Sequence, residues 1–232
     1  MREYGGDYAG QAAAQGMLES VAGVLSFVIG PILAGVSDSI GRRPLMIMAP
    51  GFSVAVSTLI AWRPTVHSLK IRRMLMAFSS TPWHSGEAAA LADLFKHDPS
   101  AFGMAKARIN MIGEVTSIAC PMIGAWLAGI SLRLPWAVCA VSFAVMVAVA
   151  HRYLEETLPP AERVPFKLKG SNPLNFVKLF RRGPQLRLLA FTQMWNRAFC
   201  GRYSTYRYEE LHMQQALSWD LQQRGRYASC ET

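Results

Sequence analysis

Ser20–Ser37 reads SVAGVLSFVIGPILAGVS and Pro44–Trp62 reads PLMIMAPGFSVAVSTLIAW, two runs without a charged side chain. A bilayer core about 30 Å thick needs ~20 apolar residues at ~1.5 Å rise each. Both runs fall in that window. Leu134–Ala150 (LPWAVCAVSFAVMVAVA) is equally clean, and between Arg108 and Arg133 the only charge is Glu114. A soluble domain seldom carries one such run. Several of them, separated by short basic loops, describe an all-α membrane protein that lies in a lipid bilayer.

Composition agrees. The 232 residues are 51% hydrophobic and 17% charged, where an average soluble domain has about 25% charged. Disorder, a collagen-like fibre and a disulfide mini-domain are excluded. The 24 Lys and Arg against 15 Asp and Glu leave +9, and +6 of this lies in residues 151–232. Positive charge collected behind apolar runs is loop charge rather than a nucleic-acid footprint, and no helix-turn-helix, zinc-finger or RNA-binding signature accompanies it. Enzyme chemistry has no support: no P-loop, nucleophile elbow, H-E-x-x-H or Rossmann glycine pattern occurs, and no cofactor is implied. The cysteines at 120, 139, 200 and 230 form no C-x-x-C pair and have no His at ligand spacing. They read as small buried hydrophobes, not as a metal site.

Met74–Leu94 (MLMAFSSTPWHSGEAAALADL) is long enough to span but carries Ser79, Ser80, His84, Glu87 and Asp93. Between two clear spans it reads as a helix whose polar side chains face a cavity, because lipid would penalise them. The expected spans are therefore about 17–37, 44–62, 74–94, 110–131 and 134–153. They follow a non-cytoplasmic tail 1–16 and precede a basic central loop 154–187 and then 188–232, a broken start of a further helix and a polar tail. The start of the chain lacks the basic leader, apolar core and cleavage site of a signal peptide. Lys and Arg favour the cytoplasmic side. With five spans the loops 38–43 and 95–108 and everything after 151 fall inside, leaving the N-terminus outside and the C-terminus cytoplasmic. Residues 152–187 alone hold eight basic side chains. Arg63, Lys70, Arg72 and Arg73 oppose this orientation, and three other loops outweigh them.

Between the first two spans stands Pro31-Ile-Leu-Ala-Gly-Val-Ser-Asp38-Ser-Ile-Gly41-Arg42-Arg43-Pro44. It resembles the loop joining helices two and three of the major facilitator superfamily, G-x-L-(S/A)-D-R-x-G-R-R-P. An Asp at a helix end, a Gly for a tight turn and two arginines make a compact charged hinge. The resemblance implies that Asp38, Gly41, Arg42 and Arg43 form a conformational latch that docks against the other half of the transporter. Charge near a helix end is worth ~0.3–1 kcal/mol, more when partly buried, which suits a latch. Ala34 stands where the family's first Gly sits, and Ser39 replaces its Arg or Lys.

The same order continues along the chain. Arg73-Met-Leu-Met-Ala resembles the opening of helix four, and Ala92-Asp93-Leu94 its cytoplasmic end. Gly113–Ala125 resembles the helix-five antiporter motif G-x-x-x-G-P-x-x-G-G, with Pro121 and Gly124 matching and Thr116, Cys120 and Ala125 at glycine positions. A proline-kinked packing helix explains that span equally well. Leu154-Glu-Glu156-Thr157-Leu158-Pro159 is similar to the end of helix six, and Asn172-Pro173-Leu174 to the approach to helix seven in drug:proton antiporters of the tetracycline-exporter type. The resemblance implies a partial major facilitator fold, covering family helices two to six of the N-terminal six-helix repeat.

Ionisable residues inside the expected spans are the candidates for substrate and proton handling: Arg73, His84, Glu87 and Glu114. His84 and Glu87 stand at i and i+3, where a carboxylate beside an imidazole in low dielectric could exchange a proton near neutral pH. Gap-filling polar contacts between helices are the competing explanation. Arg73 lies fourteen residues before Glu87, about four helical turns, so one face could carry both.

Two functions remain. One is a secondary active transporter moving a small organic solute with a proton as coupling ion. The other is a non-transporting fragment or a half-transporter needing a partner. Helix one and the second repeat of the family have no counterpart in the sequence, so the chain is expected not to transport alone.

Overall fold

The computed structural model describes residues 8–167, 171–181, 183–196, 213 and 217–231. Residues 1–7 of the expected outer tail, the basic residues Lys169 and Arg182, and most of the tail between 197 and 216 lie outside them. The described chain is all α, with short 3-10 turns and no strand among these residues. Helix α1 is Tyr8–Ile40, α2 Arg42–Trp62, α3 Val66–Leu75, α4 Ser80–Leu94, α5 Pro99–Ile130 and α6 Leu134–Tyr153. After 3-10 turns at Pro160–Glu162 and Pro173–Arg181 come α7, Pro184–Trp195, and α8, Leu221–Glu231. Gly16–Ile40, α2, α5 and α6 are long and apolar enough to cross a membrane.

Helix α2 is the hub. It packs most closely on α6 and then on α4, while α1 lies along α3, the following turn and α4. The buried side chains of α2 include Leu45, Met46, Ala49 and Ile60, and Ile60 has no exposed surface. Small residues set the helix spacing, as expected where lipid supplies no hydrophobic drive between helices. A Cβ on Gly86 of α4 would meet Met46 Cγ at 2.9 Å, and one on Gly30 of α1 would meet Thr81 Cγ2 at 3.3 Å. Helix α6 buries no residue, and α5 buries only Ala125. Their large apolar side chains, Ile112, Val115 and Val141 among them, point outward from the bundle, where lipid or another membrane helix can cover them.

Five expectations need correction. The segment 74–94 is not one helix: a 3-10 turn at Met76–Phe78 separates α3 from α4. The hydroxyls of Ser79 and Ser80 both donate to the Met76 carbonyl, at 3.3 and 2.8 Å. Pro82 follows, and its ring cannot donate to the ladder. Helix α5 begins eleven residues before the expected 110, since Asp98 caps it and Pro99 sits in its first turn, where a missing N–H costs nothing. The tail also holds a helix. Asp220 and Gln223 cap α8 reciprocally, Gln223 N donating to Asp220 Oδ1 at 2.7 Å and Asp220 N to Gln223 Oε1 at 2.9 Å. Gly225 brings α8 onto α5: a Cβ there would lie 2.6 Å from Ala125 Cβ and 3.1 Å from the Pro121 carbonyl. Pro121 is roughly 33 Å along α5 from Pro99 at ~1.5 Å per residue. Residues 221–231 thus lie toward the far end of the bundle, whereas everything after 151 was expected at the Arg42 end. Cys120, expected buried, is exposed on α5, and Cys139 is half-buried; both are free thiols.

The α5 cap gives a pH test. Asp98 Oδ1 accepts from Ala101 N at 2.9 Å, Ser100 Oγ at 2.8 Å and Ser100 N at 3.0 Å. The Ala101 amide, then the Ser100 hydroxyl, hold its carboxyl below the usual range. A depressed folded value means the cap contributes fully above the ordinary carboxylate pKa and is lost as pH falls through the lower one. Asp98→Ala should lower the melting temperature at pH ~7 and shrink its decline toward pH ~3, followed by circular dichroism in detergent. An unchanged acid-side decline would show that the cap contributes nothing.

Candidate functional site

The turn between α1 and α2 is a single residue. Gly41 sits at φ +110°, donates to Ser37 O at 3.0 Å, and offers no side chain to cap α2. The cap comes from 115 residues downstream instead. Glu156, just beyond α6, accepts from Arg42 N at 2.9 Å and Arg43 N at 3.3 Å, amides that would otherwise be orphans. Leu158 N at 3.0 Å adds a third donor, and Arg163 Nη2 stands 3.8 Å away. Any Cβ on Gly41 would collide with the Glu156 carboxylate. Glycine is therefore required twice, by backbone angle and by space.

Arg42 supplies the other half of the cluster. Its guanidinium, with the side chain only 12% exposed, pairs with Asp38 one turn back on α1 and with Asp93 Oδ2 on α4 at 3.2 Å. The same Nη1 donates to Ser37 Oγ at 3.3 Å. Arg43 reaches α6, donating from Nη2 to His151 O at 2.8 Å. Lys96 and Glu162 form an exposed pair at 3.3 Å nearby. The expected latch residues Asp38, Gly41, Arg42 and Arg43 are thus brought together, and they fasten α1, α2, α4 and α6 at one end. Asp93 and Glu156, which the sequence set apart only as marks of helix ends, belong to the same cluster, together with Arg163 from the basic stretch 152–187.

The expected proton and substrate residues do not form one site. His84 and Glu87 share α4 but diverge. Glu87 pairs with Lys106 of α5 at 2.8 Å, roughly 9 Å along α4 from Asp93. His84, nearer the start of α4, lines a cavity of about 220 Å³ between α2, α4 and α6 with Trp83, Phe52, Phe143, Ser53 and Ser80. Arg73 lies beyond the 76–78 break and shares no face with Glu87. It pairs with Glu19 of α1 near the opposite end of the bundle, beside a second cavity of about 200 Å³. Arg72, its neighbour, stacks on Trp136 of α6, 4.5 Å from the ring centre. Glu114 is exposed on α5 and makes no ion pair with a described residue. Pro121 lies inside α5 and touches α8, while a Cβ on Gly124 would meet nothing within 4 Å.

Residues 2–221 match the Major Facilitator Superfamily family model, nearly the whole chain. The chain belongs to the major facilitator superfamily. It is a multi-pass integral membrane protein with a partial, all-α major facilitator fold. Among similar superfamily members, the class C tetracycline resistance protein of Escherichia coli is 25% identical over 166 residues, covering 71% of this chain and 40% of that protein. The class G protein of Vibrio anguillarum is 27% identical over 145 residues, 61% of this chain and 35% of the relative. The uncharacterised transporter YdgK of Bacillus subtilis is 30% identical over 166 residues, 66% and 39%. The chain thus spans about two fifths of the length of these superfamily relatives. No solved structure matches it.

The charged end should behave as one unit. Arg42→Ala is expected to cost about 2–4 kcal/mol, leaving Asp93 partly buried without its cation. Asp93→Asn should cost about 1–2 kcal/mol, and the pair should couple by about 1–3 kcal/mol in a double-mutant cycle. Detergent denaturation curves give these values, and additivity within ~0.3 kcal/mol would remove Arg42 from its central place.

Proposed function

We propose that the chain forms part of a secondary active transporter for a small, drug-like organic solute, coupled to protons. The charged hinge carries this reading: Arg42 and Glu156 tie α1, α2, α4 and α6 together at one end, a fixed point about which the helices can rock. The tetracycline resistance relatives support a drug-like solute. By the positive-inside rule the Arg42 end faces the cytoplasm and the N-terminal end of α1 faces outside.

Coupling is assigned to Glu87 with Lys106 rather than to Glu87 with His84. When Glu87 is ionised, its pairing with Lys106 holds α4 against α5. Protonation removes the attraction and lets the two helices separate. His84 belongs to the solute side of the scheme, since it lines an aromatic and hydroxyl-bearing cavity suited to a small planar molecule. A half-transporter that works only with a partner is the second reading. The outward apolar faces of α5 and α6 favour it, because substrate sites in this superfamily lie between two repeats.

Vesicles carrying the chain separate these readings. In vesicles where the chain is reconstituted with whatever second half it needs for uptake, Glu87→Gln should abolish solute uptake driven by a pH gradient while leaving solute binding intact. Uptake at the wild-type rate would sink the coupling assignment. If the chain transports only when co-reconstituted with a second half, the partner reading replaces the first.

A further inference from the structure

The segment after α6 does more than cap α2. Val164 N donates to the Asp38 carbonyl at 3.1 Å, and Phe166 and Ser171 lie against α1 at Gly35. A Cβ on Gly35 would meet Ser171 Oγ at 2.6 Å and the Phe166 ring at 3.2 Å. Beside this strap lies a groove of about 480 Å³ lined by Pro31, Ala34, Gly35, Asp38, Phe166 and Lys167. From Asp38 to Pro31 it follows roughly 10 Å of α1 at ~1.5 Å per residue. One end therefore stands at the charged hinge, and the other reaches two turns into the apolar stretch. That polarity matches an amphiphile lying head-out along a membrane helix.

The next element repeats the pattern. In a 3-10 helix residues three apart eclipse one another. Over Pro173–Arg181 this aligns Leu174, Val177 and Phe180 in one stripe and Asn175, Lys178 and Arg181 in another. Leu174 is 61% exposed and Val177 44%, so an apolar stripe and a basic stripe lie side by side on the surface. The turn contacts both α1 and α7. Charge is lopsided here. Of the three acids in 152–187, Glu156 is engaged by Arg163 and Glu162 by Lys96, leaving Glu155. Lys167, Lys178, Arg181 and Arg187 make no ion pair with a described residue. Asp38, the acid in the groove, is held by Arg42.

We propose that this face is a binding site for an anionic phospholipid. Its headgroup sits among Lys167, Lys178 and Arg181, one acyl chain lies in the groove along α1, and the Leu174 stripe rests in the interface. The bilayer itself supplies the ligand. Because the strap that forms the groove is hydrogen-bonded to Asp38, an occupied site holds the strap against the hinge.

Native mass spectrometry of the full chain in detergent, titrated with phosphatidylglycerol and phosphatidylcholine, tests this. Wild type should retain one phosphatidylglycerol at least about tenfold more strongly than phosphatidylcholine. Lys167→Gln, Lys178→Gln and Arg181→Gln together should erase that preference. Each should weaken retention about fivefold alone, which decides the matter if the triple variant does not fold. Inorganic phosphate at millimolar concentration should not displace the lipid. Equal retention of both lipids, unchanged retention in the variants, or displacement by phosphate would overturn the proposal.

Discussion

The bundle depends on one arrangement of charge at the α1–α2 turn. A helix that starts immediately after a glycine has no side chain to satisfy its first amides, and its N-terminus carries positive partial charge. Glu156 answers both needs from across the sequence by accepting from Arg42 N and Arg43 N. In doing so it fixes where the chain leaves α6 relative to where α2 begins, the pair of helices that pack most closely. Arg42 then turns its guanidinium the other way, between Asp38 and Asp93, and joins α1 and α4 to the same point. Gly41 makes the geometry possible, since a larger residue would displace the carboxylate.

Polar groups divide the molecule into zones of different stiffness. The hinge end is cross-linked by three ion pairs around Arg42 and Glu156. Toward the opposite end of α1 Glu19 pairs with Arg73, and the helix that carries Arg73 is broken at 76–78. The charge cluster at one end and the helix break near the other are the features on which the proposed rocking motion rests.

Much of this was legible in the sequence because its causes are local. Uncharged runs marked α2 and α6 almost to the residue, since in a membrane a charge ends the run. Asp38, Gly41, Arg42 and Arg43 stood out because they lie within six residues of one another. What escaped depended on distant partners. Glu156 meets Arg42 over 114 positions, which no local pattern displays. His84 and Glu87 have the right spacing to pair, but Lys106 on α5 takes the carboxylate first. The break between α3 and α4 left a usable sign in Ser79, Ser80 and Pro82, outweighed by the length of the run. Asp220 and Gln223 likewise spell a capping box that the polar tail concealed.

The central claim is that Arg42 and Glu156 hold the ends of α1, α2, α4 and α6 in one geometry. Spin labels at the exposed positions His97 and Glu155, measured by pulsed electron resonance in lipid nanodiscs, read that geometry directly. A single narrow distance distribution is expected in the wild type, with a longer and broader one when Arg42→Gln and Glu156→Gln are combined. Distributions that coincide would show that the helix ends are held by something else.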